Sequence, residues 1–213
     1  MNARDPAAAP PNPLLAAQAA GFPVGGEPLA IDLADTLITS SQPPADLLAG
    51  EGRLAAFWEL QHPRLPPGSS VPSLAATLAL RDAVRSTLDA IVQDTPIDPL
   101  AIERINVASA GAVSWPLLTT SPRMELGTDD GWRAGEGAAL SLAAVARSLI
   151  EVVTGPAVGR LRRCANPSCS MLFIADDARR KWCTTNICGN RARVARHYQR
   201  SREAAAATPA ESD

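Results

Sequence analysis

Four cysteines are the residues of this chain best suited to chemistry, and all of them fall within residues 164–188. Cys164 and Cys169 form one Cys-x4-Cys pair and Cys183 and Cys188 a second, with thirteen residues between the pairs. Two close pairs joined by a short span can gather four thiolates around one ion, and Zn2+ takes four tetrahedral sulfur ligands at about 2.3 Å. The many nearby arginines favour the thiolate form that binds metal, while Leu172, Phe173 and Trp182 supply a small apolar core. Four protein ligands leave no open position for water or substrate, so the set is expected to hold one structural Zn2+ per chain. Two disulfides would suit an oxidising compartment and a smaller chain with its cysteines spread out. An iron–sulfur cluster or a redox pair is the other use of such a set.

A helix is expected from Gly189 onward. At 100° per residue, Arg193, Arg196 and Arg200 fall within about 60° of one another. Val194, Ala195 and Tyr198 lie on the other side, which predicts an inward face and an arginine face. The arginine face is a candidate for phosphate contact by a helix presented on a zinc site; a solvated basic face is the plainer reading. Arg191 projects near the apolar side and is expected to pair with Asp176 or Asp177 or to hydrogen-bond loop carbonyls. His197 could replace a zinc ligand, but the four cysteines suffice.

Charge supports a polyanion-binding end. Residues 160–203 carry eleven Arg/Lys against Asp176, Asp177 and Glu203, a net +8, although the whole chain is at −2. Residues 1–159 therefore hold an excess of eight negative charges, an asymmetry that points to DNA or another polyanion. The same balance permits a rival use, in which the basic face docks an acidic partner, including the protein's own acidic body. No run approaches the roughly 18 consecutive apolar residues of a membrane span, and residues 1–15 lack the apolar core of a secretory signal. A soluble protein of a reducing, cytoplasmic compartment, with no membrane partner, is expected.

The elements that must position the cysteines are mostly helical. Residues 1–27 are rich in Ala, Pro and Gly and are expected to be disordered. Pro28–Ile38 fits a strand and a helix equally. Leu54, Phe57, Trp58 and Leu60 have helical spacing, Ser73 caps a helix over 74–94, and Asp98-Pro99 opens another over 99–110. Between 112 and 134, Trp115, Met124 and Trp132 sit among Pro, Gly, Asp and Thr, predicting a hairpin that turns at Thr128–Gly131. A helix over 137–154 ends at Gly155-Pro156. The predicted fold is α+β, mainly α: a helical domain over 28–156 with a short β-hairpin, a zinc finger with a basic helix over 160–203, and a disordered tail over 204–213. Catalytic candidates are few. Asp32 and Asp35, three apart without a His, Cys or Glu nearby, read as a polar helix start. His62 reads as an exposed loop residue, and Trp58, Trp115 and Trp132 read as core. No phosphate-binding Gly-rich loop or nucleophile motif is present, and no enzyme is expected.

Trp182-Cys183 and Cys188-Gly189-Asn190-Arg191 resemble the CGNR zinc finger, and PLAIDLADTL (28–37) resembles the opening motif of the ABATE domain that precedes that finger. The family is described as stress-induced transcription regulators of bacteria. The resemblance implies zinc on the four cysteines and DNA binding by the finger. Asp35 departs from it, because the family's motif usually has Asn there. With a single finger making few phosphate contacts, a homodimer would strengthen binding. The N-terminal domain would then dimerise or sense an unknown small-molecule effector.

Overall fold

Asn12 accepts the N–H groups of Leu14 and Leu15 and so starts the first helix, α1 (Pro13–Ala19). In the computed structural model the described residues are 12–23, 25–120 and 125–207. Residues 1–27 therefore depart in part from expectation: α1 forms, and Ala17 and Phe22 are buried in the main core. Phe22 packs edge-on to Phe57, under the Arg53 guanidinium. Composition hides this because an Ala/Pro-rich segment needs only one aromatic anchor to dock.

Residues 29–34 form helix α2 (Leu29–Ala34), in which all six residues are buried. A helix with no exposed face shows no amphipathic period, which is why helix and strand fit this stretch equally. A minimal ribbon follows, β1 (Leu37–Ile38) with β2 (Ala45–Asp46). Helix α3 (Arg53–Gln61) buries Phe57 and Trp58. Helix α4 (Leu74–Gln93) is capped by Ser73, which accepts the Ala76 N–H at 3.2 Å. Asp98 does the same for α5 (Pro99–Ala110), accepting the Leu100 N–H at 3.0 Å. Helix α6 (Gly137–Thr154) buries Leu140, Val145, Leu149 and Val152. Helices α4, α5 and α6 pack on one another, and α2 lies against α4 and α6. Helix α6 alone among the described residues is long and apolar enough to cross a membrane, yet it packs here as a core helix.

The hairpin is β3 (Val113–Thr120) with β4 (Leu126–Arg133), in register from Val113↔Arg133 to Thr120↔Leu126. Thr128–Gly131 lies inside β4, paired with Trp115–Leu118, rather than at a turn; Met124 lies outside the described residues. Gly131 is needed by the strand for another reason: a Cβ there would meet the Trp115 ring at 2.4 Å. Trp58 is core, Trp132 is half-buried against it, and Trp115 is 40% exposed beside Arg133. Past α6 come β5 (Leu161–Arg163), β6 (Leu172–Ile174) and helix α7 (Asn190–Ala207). The chain is α+β and mainly α.

Candidate metal centre and nucleic-acid interface

Two devices bring the sulfurs together. Antiparallel β5 and β6 form a hairpin whose loop carries the first pair, with the Cys164 N–H donating to the Met171 carbonyl at 2.9 Å. The second pair is set by a turn of π-helix, Thr185–Gly189, with Cys183 just before it and Cys188 within it, and this turn runs directly into α7. Gly189 lets this turn close, since a Cβ would lie 3.3 Å from the Trp182 ring. All four sulfurs lie within 4.8 Å of one another, and His197, exposed on α7, is not among them. Cys169 and Cys183 Sγ are 3.8 Å apart, and those of Cys183 and Cys188 3.7 Å. A tetrahedron with sulfurs at about 2.3 Å from its centre has edges of about 3.8 Å, so the cluster fits Zn2+. The cysteines are free thiols, so the disulfide alternative does not describe them.

Crowding splits the acidities of the sulfurs. Hydrogen bonds from Cys169 and then Cys183 hold Cys164 down to about 2, as a thiolate. The same bonds to Cys164 push Cys169 up to about 12 and raise Cys183 as well. Four sulfurs this close can all be thiolates only around a cation. The Asn166 amide donates toward Cys188 Sγ at 3.6 Å. Met171, Phe173 and Ala175 close the apolar side of the cluster.

Helix α7 stands almost free. Arg193, Arg196 and Arg200 are exposed, as expected, but the inward face is not there: Val194 is 46% and Tyr198 66% exposed. Amphipathic spacing predicts a buried face only where a neighbour exists to cover it. The arginines bond only within the helix, Arg193 to Asn190 and the Arg196 and Arg200 Nε groups to carbonyls one turn back. Among the described side chains, which on α7 end at Arg202, none of them, nor Arg191, forms an ion pair with a carboxylate. The partner foreseen for Arg191 belongs to Arg180, which bonds Asp176 and Glu27 at 3.2 and 3.0 Å. Arg180 also donates to the carbonyls of Ile174, Trp182 and Cys183 and lies over the Phe173 ring.

The profile of ABATE, described as "putative stress-induced transcription regulator", matches residues 27–156. The chain belongs to this family. The CGNR zinc finger matches residues 160–201. A search of curated proteins finds no match. The finger holds one structural zinc, and neither description names an enzyme.

The opening motif of the ABATE domain is what grips the finger. Asp35 is buried and accepts the main-chain N–H of Leu172 at 3.0 Å. Arg85, buried on α4, meets Asp35 at 3.3 Å, Asp89 at 2.9 Å and the Ser170 carbonyl at 2.7 Å. Asp89 in turn pairs with Arg163 at 2.6 Å. Glu27 accepts the Ile174 N–H at 3.0 Å. Asp32, read as a polar helix start, is also buried and accepts from Gly26, Glu27 and Arg64. Burial pushes the Asp35 carboxyl well above the ordinary range, against the pull of Arg85 and the Leu172 N–H. The signal that could have exposed this network is the run Arg81, Arg85, Asp89, a charged stripe at steps of four beside the apolar stripe of α4. His62 is exposed, within a short 3-10 turn at His62–Arg64.

Proposed function

We propose that this chain is a DNA-binding transcriptional regulator. Cys164, Cys169, Cys183 and Cys188 hold its zinc, and Arg193, Arg196 and Arg200 contact phosphates. The observation that carries the reading is the contrast between two sets of arginines. Arg85, Arg163 and Arg180 are engaged by carboxylates at the domain junction, whereas the arginines of α7 are exposed and face none among the described residues. A basic helix held at one end by zinc and free along its length suits a polyanion groove. Its first turn lies near the body, where Arg191 borders a pocket shared with Pro23, Ile38 and Ser40, yet none of its arginines pairs with a body carboxylate among the described side chains, which disfavours docking in cis.

A sensing role for the ABATE domain is supported by an open cleft of about 800 Å3 between the hairpin and the loop 63–67, lined by Leu29, Arg64, Trp132, Arg147 and Ser148. Arg147 sits over Trp132, and its Nε is buried without a partner among the described residues.

Duplex binding followed by fluorescence anisotropy across salt concentrations tests the DNA reading. Each phosphate contact contributes about −0.9 to the slope of log K against log salt, so the triple substitution Arg193→Ala, Arg196→Ala, Arg200→Ala should flatten that slope by about 3. An absence of binding even at low salt would favour the acidic protein partner instead.

A further inference from the structure

Helix α7 has more than one exposed side, and its sides differ in chemistry. Projected at 100° per residue, Arg193, Arg196 and Arg200 occupy one flank, and Arg191 and Arg202 fall on the opposite flank, about 160–180° round. Two strips separate the flanks. One holds Ala192 and Gln199; Ala192, Ala195 and Arg191 line a groove against Pro167 and Trp182, so this side of the helix, Arg191 included, turns toward the finger. The other holds Asn190, Val194, His197 and Ser201 within about 60° of one another and points away from it. All four are exposed. Their internal bonds are few: Asn190 Oδ1 accepts from Arg193 at 3.4 Å, Ser201 donates to the His197 carbonyl at 3.1 Å, and the His197 ring meets Tyr198 edge-on at 6.2 Å.

A strip of hydrogen-bonding and small apolar side chains between two flanks of arginine matches the cross-section of the B-DNA major groove. There, base edges form the floor and a phosphate backbone rises on each side. A helix about 10–12 Å across fits a groove about 12 Å wide, and the 18 residues of α7 extend about 27 Å. Resting on the DNA-binding reading above, we propose that α7 is a major-groove recognition helix. Asn190, Val194, His197 and Ser201 face the bases, while Arg193, Arg196 and Arg200 hold one backbone and Arg202, exposed on the other flank, reaches the opposite one. Asn190 and Val194, one turn apart, suit an A·T pair, because an amide can bond adenine N6 and N7 and an apolar side chain can meet the thymine methyl.

Selection from a random duplex library tests this, using the full zinc-loaded chain, the single variants Asn190→Ala and His197→Ala, and the triple arginine variant. All the substituted side chains are exposed, so zinc content and helicity should hold and are measured in parallel. The wild type should enrich a motif containing an A·T position. Asn190→Ala should lose discrimination there by about 10-fold, and His197→Ala at a neighbouring position, with the salt slope unchanged in both. The triple variant should instead weaken binding to all sequences alike. If both single variants select the wild-type motif, or the wild type binds every duplex equally, base readout by this strip is wrong while DNA binding stands. If the wild type binds no duplex at low salt, both readings fall together.

Discussion

Asp35 stands where the resemblance to the ABATE opening motif leads one to expect Asn, and its surroundings suit either residue. The essential bond is acceptance of the Leu172 N–H, which a carboxylate and an amide oxygen can both make. Asp35→Asn should leave stability at pH 7 within about 1 kcal/mol of the wild type or above it, because it removes a buried charge. Asp35→Ala orphans both the Leu172 N–H and part of Arg85, at a cost of about 3 kcal/mol. The raised acidity constant of Asp35 fixes the sign of its pH dependence. The folded state holds the proton more tightly, so this carboxyl's contribution to stability is largest below the ordinary carboxylate range. It falls as pH rises toward the raised value. Urea unfolding of wild type and Asp35→Asn at several pH values should therefore show the wild type losing ground to the variant as pH increases. From sequence, Asp32 and Asp35 read as a plain helix start. Their partners were illegible because one is a main-chain N–H 137 positions away, a donor that carries no side-chain signature. The four cysteines were legible because their spacing alone limits what they can hold.

Helices announced themselves where their ends carry chemistry. Ser73, Asp98 and Gly155 mark boundaries that the structure places within a residue or so of the spacing-based limits. The hairpin was foreseen but its turn was not, since Asp-Asp-Gly is turn chemistry that here lies in a strand, where Gly131 makes room for Trp115. In α7, periodicity supplied an inward face of which Ala195 borders a groove beside Pro167 and Trp182 while Val194 and Tyr198 stay exposed. The free helix should behave accordingly. Isolated helices of this length are marginal in water, and this one is nucleated only at its zinc-held end. Amide exchange should be slow near Cys188 and quicken steadily beyond Val194, and saturating duplex DNA should slow it along the whole helix. Equal protection at both ends without DNA would show that something in the protein covers α7.

At the scale of the molecule, the boundary near residue 157 is a boundary in sequence but not in packing. Leu161, Leu172 and Ile174 of the finger belong to the same core as Leu33, Leu88 and Leu149. Removing zinc should therefore destabilise more than the finger. With a chelator, or in Cys183→Ser, thermal unfolding followed by tryptophan fluorescence should shift downward for Trp58 and its surroundings, which lie outside the finger. A finger that melts first while the rest keeps its wild-type transition would show that the two parts fold separately. Charge asymmetry was visible in composition; the junction was not, because it is built from arginines and carboxylates on elements far apart in the chain.

The bond from Asp35 to a main-chain donor has a consequence for how such proteins can be recombined. Leu172 contributes its backbone, so the finger can change many side chains without losing that contact. The body, in contrast, must keep an acceptor at 35, a cation at 85 and a carboxylate at 27. A gene fusion that put this body ahead of an unrelated module would leave Asp35, Arg85 and Glu27 without the finger groups they bond, the Leu172 N–H, the Ser170 carbonyl and the Ile174 N–H. The two halves are built as a matched set, and chimeras between relatives should tolerate exchange at the tip of α7 far better than at residue 157.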